Sequence, residues 1–181
     1  MNKFFFVDKN GEGKDSFLKG EFKVLDESEL SENLLKCCGS ANWVKAMSDN
    51  FPKEKEKLFE NAEKIWFDLK ESDWLEAFTH HPKIGDLASL EKKFGSTKDF
   101  TTNEQSSVNQ ASMETLKELA EYNDKYEKKF GFIFIVCATG KTADEMLALI
   151  KNRINNDYQT ELKIAMGEQN KITKLRLEKL F

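Results

Sequence analysis

The sequence predicts an all-α protein, a compact single domain of about six to eight helices. Apolar residues recur at three- and four-residue intervals through much of the 181-residue chain, which is the spacing of one face of a helix. Only residues 132–138 have the composition of a buried strand, and a lone strand has no partner to pair with. We therefore expect this stretch to be a buried extended segment between helices.

Residues 1–23 are predicted to be an appendage to a helical domain that occupies residues 24–181. They begin with an apolar cluster at residues 4–7 and continue into a glycine-containing stretch at residues 10–14, a pattern typical of a short extended piece and a turn. The stretch superficially resembles a phosphate-binding loop, but Asp8 stands where that loop requires its first glycine. We interpret it as a turn.

Two helices are predicted in the first third of the domain. One runs from Asp26 to Cys38 and ends at Gly39, because glycine readily adopts the left-handed conformation of a helix cap. The other has Pro52 in its first turn. Its core-facing stripe is expected to be Leu58, Ala62, Ile65, Trp66 and Leu69.

A short helix with Ser72 as its cap is expected next. Pro82 disfavours helical geometry at the residue that precedes it. The helix should therefore end before His81 and leave His81 on the turn that terminates it.

Three further helices are predicted in the C-terminal half. The first begins at Thr101 or Thr102 and ends at Gly131; the second begins at a capping box of Thr142 and Glu145; the third is capped by Thr160. In chain order, their core-facing residues are expected to be Val108, Ala111, Thr115, Leu119, Tyr122 and Tyr126, then Met146, Leu149, Ile150 and Ile154, then Leu162, Ala165, Ile172 and Arg176.

Composition argues against several classes of partner. The 28 basic and 32 acidic residues are mixed along the chain and give a net charge of −4. We therefore expect no extended positive field that could attract a phosphate backbone. No apolar run approaches the roughly 20 residues of a membrane helix. The three cysteines form neither a disulfide framework nor a paired zinc motif. We predict a cytoplasmic protein that binds neither nucleic acid nor membrane.

His81 is the first candidate for acid–base chemistry, because histidine titrates near pH 6.5 when unperturbed and the turn around Pro82 is rigid. The alternative is a capping or core histidine, which is how we interpret His80. Adjacent side chains diverge, and no further histidine or cysteine cluster completes a metal site. We therefore predict no metal.

Glu104 and the arginines each have a structural and a functional interpretation. Glu104 lies three residues after Thr101, the spacing of a capping box, but the same helix start could hold an anionic group beside Gln105. Arg153 and Arg176 are the only arginines, and each must find an anionic partner or face a wet cleft. For Arg176 the structural alternative is a salt bridge with Glu168 or Glu145.

Several separated motifs, taken together and in order, resemble the 2-oxo-4-hydroxy-4-carboxy-5-ureidoimidazoline (OHCU) decarboxylase family. The most specific is His-Pro-Lys-Ile-Gly-Asp at residues 81–86, followed by Asn-Glu-Gln at 103–105. The others lie at residues 37–40 with Trp43, at 73–78, at 130–137 and at 171–177. The likeness runs from about Leu25 to the C-terminus.

This resemblance implies an all-helical enzyme, often a homodimer, that converts an anionic ureidoimidazoline of urate breakdown to (S)-allantoin without metal or organic cofactor. It implies that His81 is the general acid, and its pairing with Glu104 is our hypothesis. Thr101 stands where the family commonly has serine, which keeps the hydroxyl group. The implied substrate-binding residues are Pro82, Thr101, Gln105, Phe134, Ile135, Val136, Cys137, Ala138 and Arg176.

Two other functions stay open at this point. The chain could be a catalytically silent helical interaction module that works through its charged faces and N-terminal segment. It could also be a cofactor-free hydrolase or isomerase of a related ureide. Release of carbon dioxide distinguishes a decarboxylase from both.

Overall fold

The structure is a computed structural model and describes residues 5–7, 23–52, 55–81 and 105–179. In this part of the chain the elements are, in order, β1 (Phe5–Val7), β2 (Lys23–Leu25), α1 (Glu27–Cys38), α2 (Ala41–Asp49), α3 (Lys55–Asp68), α4 (Glu71–Thr79), α5 (Gln105–Phe130), α6 (Ala143–Arg153) and α7 (Tyr158–Glu178). The seven helices and one pair of three-residue strands of the described residues confirm the all-α class.

The described residues fall into two compact units. The first comprises the residues up to His80 and those from Met166 onward, and the second runs from His81 to Ala165. In the first unit β1 lies within the predicted extended piece and pairs antiparallel with β2, with Phe6 opposite Val24. The predicted turn at residues 10–14 lies outside the described residues, and the boundary between residues 23 and 24 stays a prediction.

The core of the first unit contains tryptophans whose indole N–H groups donate to backbone carbonyls. Trp43 and Trp66 are almost fully buried, so their bonds satisfy polar atoms inside the core, whereas Trp74 is half-buried. The bonds join Nε1 of Trp43 to the Ala62 carbonyl at 3.0 Å, Nε1 of Trp66 to the Met166 carbonyl at 2.9 Å, and Nε1 of Trp74 to the Trp66 carbonyl at 2.9 Å.

The core of the second unit contains the predicted extended segment. Residues 133–138 belong to no helix or strand, and Phe132, Phe134, Ile135 and Val136 are buried. Tyr126 of α5 meets Phe132 and Phe134 edge to face, with ring centroids 6.0 and 5.1 Å apart. The prediction of a buried extended segment is confirmed.

Several helix ends follow the predicted local rules. Asp26 accepts a hydrogen bond from the amide of Glu29 at 2.8 Å and so caps α1. Gly39 and Gly131 have φ values of 84° and 75° after α1 and α5. The predicted capping box opens α6, where the amide of Thr142 donates to Oε2 of Glu145 at 2.7 Å. No described helix is both long enough and apolar enough to cross a membrane.

Two of the predicted helix caps are wrong. Ser72 and Thr160 lie inside α4 and α7 rather than capping them. The α7 cap is Asp157, whose carboxylate accepts from the Thr160 amide at 2.9 Å, because it lies three residues before that amide. Pro52 lies before α3, which is described from Lys55, and the start predicted at Thr101 or Thr102 lies outside the described residues.

The helix faces agree with the predictions in part. On α5 the buried residues are Leu116, Leu119, Asn123, Tyr126 and Phe130, whereas Thr115 and Tyr122 are half-buried and the side chains of Val108 and Ala111 are not described. On the remaining helices Leu58, Ala62, Trp66, Met146, Ile150, Leu162 and Ala165 are buried as predicted, and Ile65, Leu69, Leu149, Ile154, Ile172 and Arg176 are half-buried. The whole of α2 is absent from the prediction.

Candidate active site

His81 follows directly after the end of α4, as predicted. The helix ends at Thr79, and His80 closes its last turn by donating its amide hydrogen to the Ala77 carbonyl at 3.2 Å. His81 lies on the bend beyond this turn and is half-buried. His80 is exposed, so it is not a core residue. It is the C-terminal cap of α4 and lies close to Gly39 at the end of α1, which agrees with the capping interpretation.

Arg176 binds the C-terminal end of α1. Its Nη1 atom donates to the Lys36 carbonyl at 3.0 Å and to the Cys37 carbonyl at 3.2 Å. The guanidinium charge therefore lies at the negative end of the α1 dipole. Of the two carboxylates considered as its partners, Glu168 pairs with Lys171 at 2.6 Å and Glu145 accepts from Thr142.

Arg176 belongs to a row of polar side chains on α7 that bind the end of α1. Nε2 of Gln169 donates to the Cys38 carbonyl at 3.4 Å and to Oγ1 of Thr173 at 3.2 Å. Thr173 in turn donates to the Cys37 carbonyl at 3.5 Å. The last carbonyl groups of a helix have no hydrogen-bond donors within that helix. At the end of α1, these side chains of α7 supply the missing donors.

Burial at the same place changes the acidity of two cysteines. Burial raises the pKa of the Cys37 thiol from 9.0 to about 11, although the positive charge of Arg176 acts in the opposite direction. Burial raises the pKa of Cys38 from 9.0 to about 12. Both thiols are therefore protonated at neutral pH, which agrees with an interpretation of Cys37 and Cys38 as core residues.

Arg153 is buried inside the second unit and pairs with Glu161. Its Nε atom donates to Oε1 of Glu161 at 2.8 Å, and its Nη2 atom lies 2.6 Å from the same oxygen. Its Nη1 atom donates to the Ile135 carbonyl at 2.9 Å, and its guanidinium carbon lies 4.6 Å from the centroid of the Phe134 ring. The sequence left two alternatives for Arg153, an anionic partner or a wet cleft. The structure shows the anionic partner, Glu161.

Glu161 is the centre of this buried group. Its carboxylate is completely buried, and it also accepts hydrogen bonds from the hydroxyl of Tyr126 and, at 2.8 Å, from Nδ2 of Asn156. Burial, followed by the bond to Glu161, raises the pKa of Tyr126 above its ordinary value. Glu161 was not among the residues singled out from the sequence. The feature that could have indicated it is a charged residue among the apolar positions of α7.

The remaining candidate residues are described only in part. Pro82, Thr101 and Glu104 lie outside the described residues, and Gln105 is the first residue of α5, without a described side chain. Phe134, Ile135 and Val136 are buried, whereas Cys137 and Ala138 are half-buried. Within the described ranges, no three histidine, cysteine, aspartate or glutamate side chains are arranged to hold a metal ion.

The OHCU decarboxylase family model matches residues 23–178 of this chain. The chain is 43% identical over 155 residues to the uric acid degradation bifunctional protein TTL of Arabidopsis thaliana, and the match covers 84% of this chain and 48% of that protein. It is 31% identical over 103 residues to the 2-oxo-4-hydroxy-4-carboxy-5-ureidoimidazoline decarboxylase of Xenopus laevis, and this match covers 56% of this chain and 57% of that protein. The chain thus spans about half the length of these curated relatives.

Two solved structures have the same fold. A crystal structure of OHCU decarboxylase in the presence of (S)-allantoin has a TM-score of 0.68 and 43% identity, with 83% of this chain and 97% of that chain covered. A crystal structure of (S)-allantoin synthase has a TM-score of 0.61 and 18% identity, with 86% and 50% covered. At that lower identity the likeness shows the fold alone.

Proposed function

We propose that this chain, which belongs to the OHCU decarboxylase family, removes carbon dioxide from OHCU and yields (S)-allantoin. The observation that carries the proposal is the 43% identity to a solved OHCU decarboxylase, studied in the presence of (S)-allantoin, over 97% of the length of that chain. The family match at residues 23–178 also includes every candidate site residue.

The reaction fits a protein that supplies only acid, charge and shape. Loss of carbon dioxide leaves an electron pair, which the conjugated ring of the substrate itself can accept. The protein has to hold the carboxylate out of the ring plane, stabilise the charge that grows on the ring heteroatoms, and deliver one proton to one face. Delivery to a single face explains a single enantiomer of the product.

His81 is the proton donor in this proposal. Its place on the bend after α4 and its half-buried state support the assignment, because a general acid has to be held in place and yet be reached by the substrate. Glu104 pairs with His81 and sets its orientation and charge. Intact rates in both the His81→Asn and the Glu104→Gln variants would contradict this pairing.

Arg176 and Gln105 hold the substrate anion. Since the bonds from Arg176 to the Lys36 and Cys37 carbonyls both use Nη1, they fix the guanidinium plane and leave the edge formed by Nε and Nη2 for a carboxylate. An arginine held in this way can bind both oxygens of that carboxylate. The other substrate-binding residues that the family resemblance implies are Pro82, Thr101 and the backbone of residues 134–138.

The direct test follows product formation while OHCU is generated in situ from urate. Carbon dioxide release and the circular dichroism of allantoin are measured with and without the wild-type chain. Rapid release of carbon dioxide together with dextrorotatory (S)-allantoin is the expected result. Racemic product at the spontaneous rate from folded protein would favour a silent interaction module, and consumption of substrate without carbon dioxide would favour a hydrolase or isomerase.

A cytoplasmic homodimer completes the proposal. The dimer is carried over from the family, and the composition of the chain supports the location. Sedimentation of the purified protein tests the first point, with twice the 20.9 kDa chain mass as the expected result. A single chain mass over the working concentration range would contradict the dimer.

A further inference from the structure

We propose that Arg153 is a positioning residue that fixes the backbone of residues 134–138 for substrate binding. The inference rests on the proposed function, because the role of this segment in the pocket belongs to that proposal. Arg153 itself is 6% exposed, and all three of its guanidinium nitrogens face protein partners. It therefore acts through the segment and does not touch the substrate.

The contacts to the segment are specific. The 2.9 Å bond from Nη1 of Arg153 reaches the Ile135 carbonyl, in a segment whose backbone forms no strand. The same guanidinium group stacks on the Phe134 ring at 4.6 Å. One side chain thus fixes the main chain and the neighbouring side chain, and the segment reaches the half-buried Cys137 two residues later.

Arg153 is in turn held by Glu161. That carboxylate accepts from Arg153 on α6, from Tyr126 on α5 and from Asn156 in the loop before α7. Since a buried charge without its partner is costly, the ion pair restricts Arg153 to one geometry. The Ile135 carbonyl is consequently tied to three separate parts of the second unit.

The test compares steady-state kinetics of the wild type with those of Arg153→Lys. Lysine keeps the positive charge beside Glu161, but its single ammonium group cannot reproduce the fork that reaches both Glu161 and Ile135. A displaced segment weakens the binding of substrate and transition state alike, which raises KM and leaves kcat unchanged. The expected rise in KM is about tenfold, as for the loss of one hydrogen bond to a charged group.

Tyr126→Phe is the matched control. It removes a hydrogen bond from the same carboxylate but leaves the bond between Arg153 and Ile135 in place, so it should lower the thermal midpoint without changing KM. An unchanged KM in Arg153→Lys, or an equal rise in Tyr126→Phe, overturns the inference. Decarboxylation by the wild type distinguishes this failure from that of the proposed function, since an inactive wild type overturns both.

A variant without buried charge covers the case in which Arg153→Lys does not fold. The double variant Arg153→Met with Glu161→Met removes both partners and leaves no unpaired charge. A raised KM with wild-type kcat in this variant supports the inference, and a wild-type KM overturns it. Failure of both variants to fold assigns Arg153 to folding alone, which also overturns it.

Discussion

Gly39 and His80 pack so closely that a methyl group on Gly39 would lie 2.8 Å from Cβ of His80. Gly39 also has a φ of 84°, and its amide donates to the Leu35 carbonyl at 2.9 Å to close α1. Glycine alone combines this backbone conformation with so close an approach. Because His81 follows His80 directly, the end of α1 supports the backbone that carries the proposed general acid.

Replacing Gly39 with alanine should impair both stability and catalysis. The left-handed backbone costs a side-chain-bearing residue about 1 kcal/mol or more, and the overlap with His80 adds about 1–3 kcal/mol. The overlap also displaces the turn that precedes His81, so kcat should fall. Urea denaturation and the initial rate of decarboxylation measure the two effects.

Gly131→Ala is the control for Gly39→Ala. Gly131 has a similar φ of 75°, but a methyl group there would meet nothing within 4 Å. It should therefore show the cost of the backbone conformation alone, about 1 kcal/mol or more, with kcat unchanged. Equal losses of stability and equal rates in the two variants would show that the contact with His80 has no role.

Replacing Arg176 with methionine should raise KM about tenfold or more, because the variant loses the charged group that we propose binds the substrate anion. Lys174→Met is the matched control. It removes one positive charge from the same helix, but Lys174 pairs with Glu63 at 3.0 Å. Kinetics of both variants at one ionic strength test the difference. A similar rise in KM for Lys174→Met would indicate a general effect of net charge rather than specific binding of the substrate anion by Arg176.

The buried cysteines should make the protein less stable in alkali. The pKa values of Cys37 and Cys38 rise from 9.0 in the unfolded chain to about 11 and about 12 in the folded protein. Above pH 9 the unfolded chain therefore loses protons that the folded protein keeps, and the free energy of unfolding falls by up to about 1.4 kcal/mol per pH unit for each thiol. Denaturation curves from pH 8 to pH 11 measure this slope.

The control for the alkaline effect is the double variant Cys37→Ala with Cys38→Ala. Its stability should fall less steeply above pH 9, and Tyr126, whose pKa burial also raises, accounts for part of the remaining slope. The double variant should be less stable than the wild type near neutral pH because of the lost packing. Parallel slopes for the two proteins would contradict the assignment to the thiols.

Asp157 rather than Thr160 should prove to be the residue that stabilises the start of α7. Asp157 accepts from the amide of Thr160 at 2.9 Å and from its hydroxyl at 2.6 Å, and these bonds lower the pKa of the carboxyl group. Asp157→Ala should therefore lower the thermal midpoint more than Thr160→Ala does at pH 7. The excess should shrink in acid, because a carboxyl group with a depressed pKa contributes stability that is lost as it becomes protonated. Equal midpoints at pH 7 would contradict the cap.

Features that depend on neighbours in sequence could be predicted from the sequence. Gly39, Gly131 and the capping box of Thr142 and Glu145 each act within a few residues, so local rules place them correctly. Pro82 likewise predicts that α4 ends before His81. Asp157 and Thr160 are both good capping residues, and the sequence pattern does not tell which of them begins the helix.

Contacts between residues that are far apart in the sequence could not be predicted. The partners of Arg176 are backbone carbonyls at Lys36 and Cys37, on another helix, whereas a sequence pattern indicates only charged side chains nearby. Glu161 pairs with Arg153 because the chain turns back between α6 and α7. The roles of Pro82, Thr101, Glu104 and Gln105 are predictions from the family resemblance.

In the proposed reaction, His81 delivers the proton that makes (S)-allantoin. Circular dichroism of allantoin formed from OHCU generated in situ tests it most directly, with the wild type compared with folded His81→Asn. Asparagine has a similar size but does not titrate. Rapid formation of (S)-allantoin is expected from the wild type, and racemic product at the spontaneous rate is expected from the variant. (S)-Allantoin formed by His81→Asn at the wild-type rate would contradict it.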